Sequence, residues 1–295
     1  MRYPRHHALV APARSSASLW RLAGGVTLLV AVFFAMSTAY GWIITAALPD
    51  TAWGADGRGI QDASTPLGAL VNLYIFALLI ISLGLSMTLI HDRRWTQMIG
   101  PPDAALIQGR RVVLVLAALY TVLSLLPLPD ALAPHLNLDV KTWLSFLPIA
   151  VLGLILQVSA EELIFRGYLQ SQLAARFEHP LIWMGVPSVL FGALHYSPAV
   201  MGDTAWLVVV WATLFGLAAA DLTARSGTLG PAVALHLVNN VSAILIMAPS
   251  GNFDGLALTT YPFSADDTDL LLAWMPVEMM VLLCSWLAAR LALRV

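Results

Sequence analysis

Three charged side chains interrupt an apolar run in this chain: Glu161, Glu162 and Arg166, within residues 159–169. The chain holds only four glutamates (Glu161, Glu162, Glu178 and Glu278), and two of them are adjacent here. An ionised side chain at a bilayer centre costs at least ~2.5–3.5 kcal/mol on insertion scales, which makes such a residue a functional candidate. Helix geometry divides the three. At about 100° per residue, Glu161 and Glu162 point to different faces. Glu162 precedes Arg166 by four residues, the favourable order for a helical ion pair. Glu161 is left without a local partner. Chemistry is therefore assigned to Glu161 and a structural role to Glu162.

Two further helices carry polar residues at helical spacing. Phe191 and His195 are four apart and share a face, and so are His236 and Asn240, with Asn239 turned away. A lone intramembrane histidine is more often an interhelical hydrogen-bond partner than a catalyst. Three helices that each bring Glu, His or His/Asn point instead to one shared polar cavity. Glu161 and His195 are 34 residues apart, with the turn near Glu178 and His179, so an antiparallel hairpin puts them at one depth. His236, counted from its own loop, lies roughly 10 Å from the inner side. It meets the other two only if helices tilt or the spans are longer than a simple drawing allows.

Composition sets the environment. Of 295 residues, 59% are hydrophobic and 11% charged, against about 25% charged in soluble domains. An all-α, polytopic membrane protein of about eight spans is expected. They fall at roughly 22–48, 66–90, 111–128, 143–169, 181–197, 204–222, 229–248 and 270–291, each near the ~20 apolar residues a bilayer requires. Pro127 and Pro129 end the third early. The first run is too long for a signal-peptide core and is read as a retained span. Residues 1–21 read as a cytoplasmic polar tail, partly disordered, with His6 and His7 solvated; His91, His135 and His179 read as solvated loop residues. Residues 22–142 form helices 1–3, residues 143–248 the core with helices 4–7, and residues 249–295 an outer loop and the last helix.

The basic residues set orientation. With the N-terminus inside, inner segments hold Arg2, Arg5, Arg14, Arg21, Arg93, Arg94, Arg110, Arg111, Arg176, Arg225, Arg290 and Arg294. Outer loops hold Arg58 and Lys141 and collect aspartates, among them Asp50 and Asp56. Both termini are thus expected in the cytoplasm of a multi-pass inner-membrane protein. No internal repeat argues for a transporter of inverted halves. No basic tract suits nucleic acid. The single cysteine, Cys284, excludes a disulfide or a thiolate metal cluster. No G-x-S-x-G supports a serine protease, and Asp203 and Asp221, near helix ends, read as interfacial rather than as an aspartyl pair.

The residues in these three helices resemble the CPBP family of intramembrane proteases, also called the CAAX prenyl protease type II or Abi-like family. Glu161-Glu162-x-x-x-Arg166 is similar to its first motif, Phe191-x-x-x-His195 to its second and His236-x-x-x-Asn240 to its third. The resemblance covers roughly 143–248. It implies an eight-helix endopeptidase in which Glu161, aided by His195, activates a water, while His236 and Asn240 stabilise the oxyanion. Glu162 and Arg166 would hold the helix and Phe191 would shape the cavity. A zinc ion held by Glu161, His195 and His236 and a metal-free glutamate mechanism both fit these residue types, and no H-E-x-x-H helix is present. The implied partners are a peptide or membrane-protein substrate and the lipid bilayer. The alternatives are a non-proteolytic scaffold, a bacteriocin-immunity or other binding protein, and a transporter.

Overall fold

Apolar runs that enter lipid must satisfy their backbone within themselves, and helices do so. The computed structural model describes residues 3–49 and 57–295, and shows a polytopic bundle. Arg2, Asp50 and Asp56, used above for orientation, lie outside the described residues. Among those described, six helices are long and apolar enough to cross a membrane: α1 (Leu19–Ala47), α2 (Pro66–His91), α3 (Pro102–Ser124), α4 (Val140–Arg176), α6 (Pro198–Ser226) and α8 (Thr268–Leu293). Two apolar helices are shorter, α5 (Leu181–Ala193) and α7 (Gly230–Ile246). At 1.5 Å per residue, neither α5 nor α7 reaches across a ~30 Å hydrocarbon core unaided. The eight expected segments are thus all helical, but two of them are short. The third starts earlier than expected, at Pro102, because proline is well placed in a first helical turn.

The helix that carries the glutamates is much longer than a span. Asp139 caps α4, accepting from the Lys141 and Thr142 N–H groups at 3.1 Å each. The helix then runs 37 residues, about 55 Å, and widens into π-type turns over Leu163–Gln170, directly after Glu162. Such π-type turns in helices are frequent at functional sites.

That length settles the depth of His236. The N-terminus of α7 is driven deep against α3 by two glycines. A Cβ on Gly230 would lie 1.9 Å from the Ala105 carbonyl oxygen, and one on Gly109 would lie 3.1 Å from that of Gly230. Small residues let helix backbones approach in this way. The Leu229 N–H donates to the Ile99 carbonyl at 2.9 Å, which fixes where α7 begins. A residue one and a half turns into α7 therefore lies level with one far from the end of α4.

Both chain ends gather at one end of the bundle. Tyr3 Oη donates to Asp221 at 3.2 Å, Trp286 Nε1 donates to the same carboxylate at 3.1 Å, and Arg225 Nε binds both its oxygens at 2.8 Å. Asp221 is 7% exposed. It is a buried hub, which corrects its reading as interfacial. At the other end a small sheet interrupts the all-α pattern: β1 (His135–Leu136), β2 (Met247–Ser250) and β3 (Thr259–Ser264) pair in the order β1-β3-β2, β1 antiparallel and β2 parallel to β3.

The N-terminal segment departs most from expectation. Residues 4–16 fold into short helical turns against the bundle instead of forming a disordered polar tail. Leu9 and Ala13 are fully buried there, which supplies the apolar anchor that a polar tail would lack. His6, 4% exposed, stacks on Trp183 at 4.8 Å and lies 3.3 Å from Gln170 Nε2. His91, 1% exposed, bonds Ser16 at 3.0 Å and Tyr168 at 2.9 Å, so it is not a solvated loop residue either.

Gln170 Nε2 can only donate, so His6 Nε2 is the acceptor and the ring is neutral. Burial pulls its pKa down to about 4, from an ordinary ~6.5. A depressed folded-state value contributes stability that is present above pH ~6.5 and is lost as pH falls toward about 4. Over that window the docking of residues 3–16 loses roughly 3 kcal/mol. Hydrogen exchange, corrected for its intrinsic pH dependence, should show protection of this segment falling as pH drops from 6.5 to 4. A His6→Phe variant should not show that fall.

Candidate active site

Among the described residues Glu162 is the most enclosed charge, fully buried on α4. Its Oε1 accepts from Arg166 Nη1 at 2.9 Å and from His236 Nδ1 at 2.8 Å. Arg166 is 1% exposed. The i,i+4 ion pair read from the sequence is therefore present, and it reaches a second helix through the histidine. Because a carboxylate only accepts, His236 Nδ1 carries a proton. The other ring nitrogen, Nε2, is aimed at Glu161 Oε2, 3.5 Å away. That separation is longer than a hydrogen bond. The two adjacent glutamates thus grip opposite sides of one imidazole.

Glu161 is less enclosed, its side chain 13% exposed. Its Oε2 is buried and has no hydrogen-bond partner among the described residues, as is also true of Glu162 Oε2 and Arg166 Nη2. Buried polar atoms of this kind are ordinarily satisfied by water or a bound group.

One turn away the same two helices meet again. Asn240 Nδ2 donates to Gln157 Oε1 at 2.8 Å. Gln157 precedes Glu161 by four residues as Asn240 follows His236 by four, so the contacts form two rungs of a ladder between α4 and α7.

Aromatic rings wall the site. Phe191 of α5 meets the His236 ring edge-on at 6.0 Å, and Phe215 of α6 does so at 4.9 Å. The Arg166 guanidinium lies 4.7 Å over the Phe191 ring, a cation–π contact that stabilises a buried cation. Phe191 is brought this close because α5 crosses α6 at Gly192, where a Cβ would lie 2.1 Å from Thr213 Oγ1.

His195 stands apart from the other three. It lies just past the end of α5, and its Nδ1 donates to the Phe191 carbonyl at 2.8 Å. This leaves Nε2 as its free acceptor. Its ring packs 4.6 Å from Phe191, and among the described residues it makes no hydrogen bond to Glu161, His236 or Asn240. The structure therefore joins Glu161, Glu162, Arg166, His236 and Asn240 through direct contacts or the Gln157 rung, while His195 packs on Phe191, whose ring also meets that of His236.

That placement bears on the metal. Glu161 faces His236 Nε2, and Nδ1 of each histidine is engaged, His195 to a backbone carbonyl and His236 to Glu162, an arrangement that leaves each Nε2 open. Among the described residues no group of three or more His, Cys, Asp or Glu side chains is disposed to hold a metal ion. The set Glu161, His195 and His236 does not fit a zinc site as arranged.

The space beside the site is apolar. A groove of about 540 Å³ runs between α3, α4 and α7, with Ser159, Leu163, Val233 and Leu237 on its walls. None of Glu161, His195, His236 or Asn240 lines it. The polar cluster thus lies next to an apolar groove.

Gln157 and Phe215 were not singled out in the sequence. Extending the four-residue spacing back from Glu161 finds Gln157; nothing in the spacing marks Phe215, because its contact depends on how α6 crosses α7.

Residues 142–242 match the family described as type II CAAX prenyl endopeptidase Rce1-like. The chain is also 23% identical over 259 residues to "Uncharacterized protein YyaK" of Bacillus subtilis (strain 168), covering 84% of this chain and 85% of that one. No solved structure matches.

The two glutamates should separate in unfolding experiments. Glu162→Ala leaves Arg166 buried and unpaired and should lower stability by about 3–5 kcal/mol. Glu161→Gln, which breaks no hydrogen bond, should stay within about 1 kcal/mol. Thermal unfolding of the purified protein in detergent checks both.

Proposed function

We propose that the protein is an intramembrane endopeptidase in which Glu161 is the general base. The observation that carries this reading is the contrast between the neighbours: Glu162 is held through its Oε1 by Arg166 and His236, while among the described residues Glu161 accepts no hydrogen bond at all and its Oε2 is buried. A carboxylate with little hydration holds protons more readily and can take one from water. His236 Nε2, facing Glu161, is placed to share that proton. The hydroxide equivalent attacks the peptide carbonyl, and the Asn240 amide donates to the developing oxyanion; collapse of the tetrahedral intermediate then breaks the C–N bond, and the proton taken by Glu161 passes to the leaving amine. The free acceptor of His195 helps to orient the water. No step needs a metal.

The substrate this implies is a peptide or a segment of a membrane protein, and the apolar groove beside α4 suits a chain that approaches from lipid. The end of the bundle that gathers Arg5, Arg14, Arg21, Arg93, Arg176 and Arg225 is placed in the cytoplasm on the charge bias, with both termini.

Purified protein in detergent should cleave members of a fluorogenic peptide library. Glu161→Ala should lower the rate by about 10²–10⁴-fold, the usual contribution of a general base, while its unfolding temperature stays near wild type. Cleavage that survives Glu161→Ala, or a folded wild type that cleaves no peptide, would turn the reading toward a binding or scaffold role.

A further inference from the structure

Four polar side chains outside the ion-pair cluster form a chain of three hydrogen bonds that all run the same way. Tyr120 Oη donates to Asn239 Oδ1 at 3.3 Å, Asn239 Nδ2 donates to Asn240 Oδ1 at 3.2 Å, and Asn240 Nδ2 donates to Gln157 Oε1 at 2.8 Å. The chain crosses from α3 through α7 to α4, and it ends one turn before Glu161. Gln157 is 9% exposed.

Direction is the informative property. An amide side chain is nearly symmetric in shape, so its orientation is set by its partners. Asn240 receives a donor on its oxygen and meets an acceptor at its nitrogen. With both ends engaged, a flipped Asn240 would place its N–H₂ against the Asn239 N–H₂ and its oxygen against the Gln157 oxygen. Bonds aligned head to tail also polarise one another.

We infer that Gln157 is a positioning residue for the reaction: its carbonyl oxygen ends the donor chain from Tyr120 and Asn239, and so fixes the Asn240 amide with its second N–H free for the substrate carbonyl. The inference rests on the proteolytic reading above. It explains why a glutamine stands in an apolar stretch of α4, and it gives Asn239, the second of two adjacent asparagines, a role in holding the first. Preorganised donors aimed at a developing charge are the strongest catalytic elements of acyl transfer, and an amide free to flip would present its oxygen half the time.

The test uses a fluorogenic peptide that the wild type cleaves. Gln157→Leu removes the acceptor and should lower kcat about tenfold, the rate equivalent of one hydrogen bond, with KM within about twofold. Gln157→Glu, which still accepts from Asn240, should recover most of that loss. In an Asn240→Ala background, Gln157→Leu should cost nothing further, because its effect passes through the amide. If Gln157→Leu fails to fold, Tyr120→Phe removes the first donor and should lower kcat by a few-fold in the same pattern. Losses that multiply in the double variant, a change confined to KM, or wild-type kcat in Gln157→Leu would overturn the inference while Glu161→Ala remained inactive. A wild type without cleavage, or an active Glu161→Ala, would instead overturn the proteolytic reading on which the inference stands.

Discussion

A buried carboxylate shared by an arginine and a histidine is the interaction on which this structure depends. Glu162, Arg166 and His236 are all at most 4% exposed. Each charge alone would cost several kcal/mol in such surroundings, and the geometry must be good for the cluster to offset that cost. Here one carboxylate oxygen receives two donors below 3 Å, and the Phe191 ring covers the guanidinium face. The ion pair holds α4 internally, and the histidine ties α4 to α7. Glu161 is positioned as a consequence. It sits beside the same imidazole without sharing in the pairing.

Packing explains how short helices can build this centre. Helix α7 is too short to span a bilayer unaided, yet His236 must reach the level of Glu162. Gly109 and Gly230 let α3 and α7 touch through their backbones, and the Leu229 N–H anchors the start of α7. The long helix α4 provides matching groups well away from its own ends. The opposite rung, Gln157 with Asn240, follows from the same antiparallel register.

Much of the site was legible because helical spacing is a local property. The Glu162–Arg166 pair follows from four-residue spacing, and so does the facing of His236 with Asn240. What spacing cannot give is the relation between helices. The sequence placed His195 level with Glu161 because they are equidistant from a turn, but it could not give the hydrogen bond from its Nδ1 to the Phe191 carbonyl, which depends on α5 ending at Ala193. The depth of His236 was uncertain because it rests on glycine contacts and on the extra length of α4. Composition likewise misplaced the N-terminal segment. Its arginines suggest a solvated tail, whereas Leu9, Ala13 and His6 are buried against other elements, and burial of so few residues leaves no periodic signal. The six long spans were plain because a run of apolar residues needs no tertiary information to be recognised.

The most direct measurement is a double-mutant cycle between Glu162 and His236, read from equilibrium unfolding in detergent. Glu162→Gln, His236→Gln and the double variant are compared with wild type. A carboxylate that joins the two helices through this histidine predicts a coupling of about 1–3 kcal/mol, with the double variant less destabilised than the sum of the singles. Losses that add within about 0.5 kcal/mol would mean that the two side chains act independently, and the account of a shared carboxylate at the centre of the bundle would be wrong.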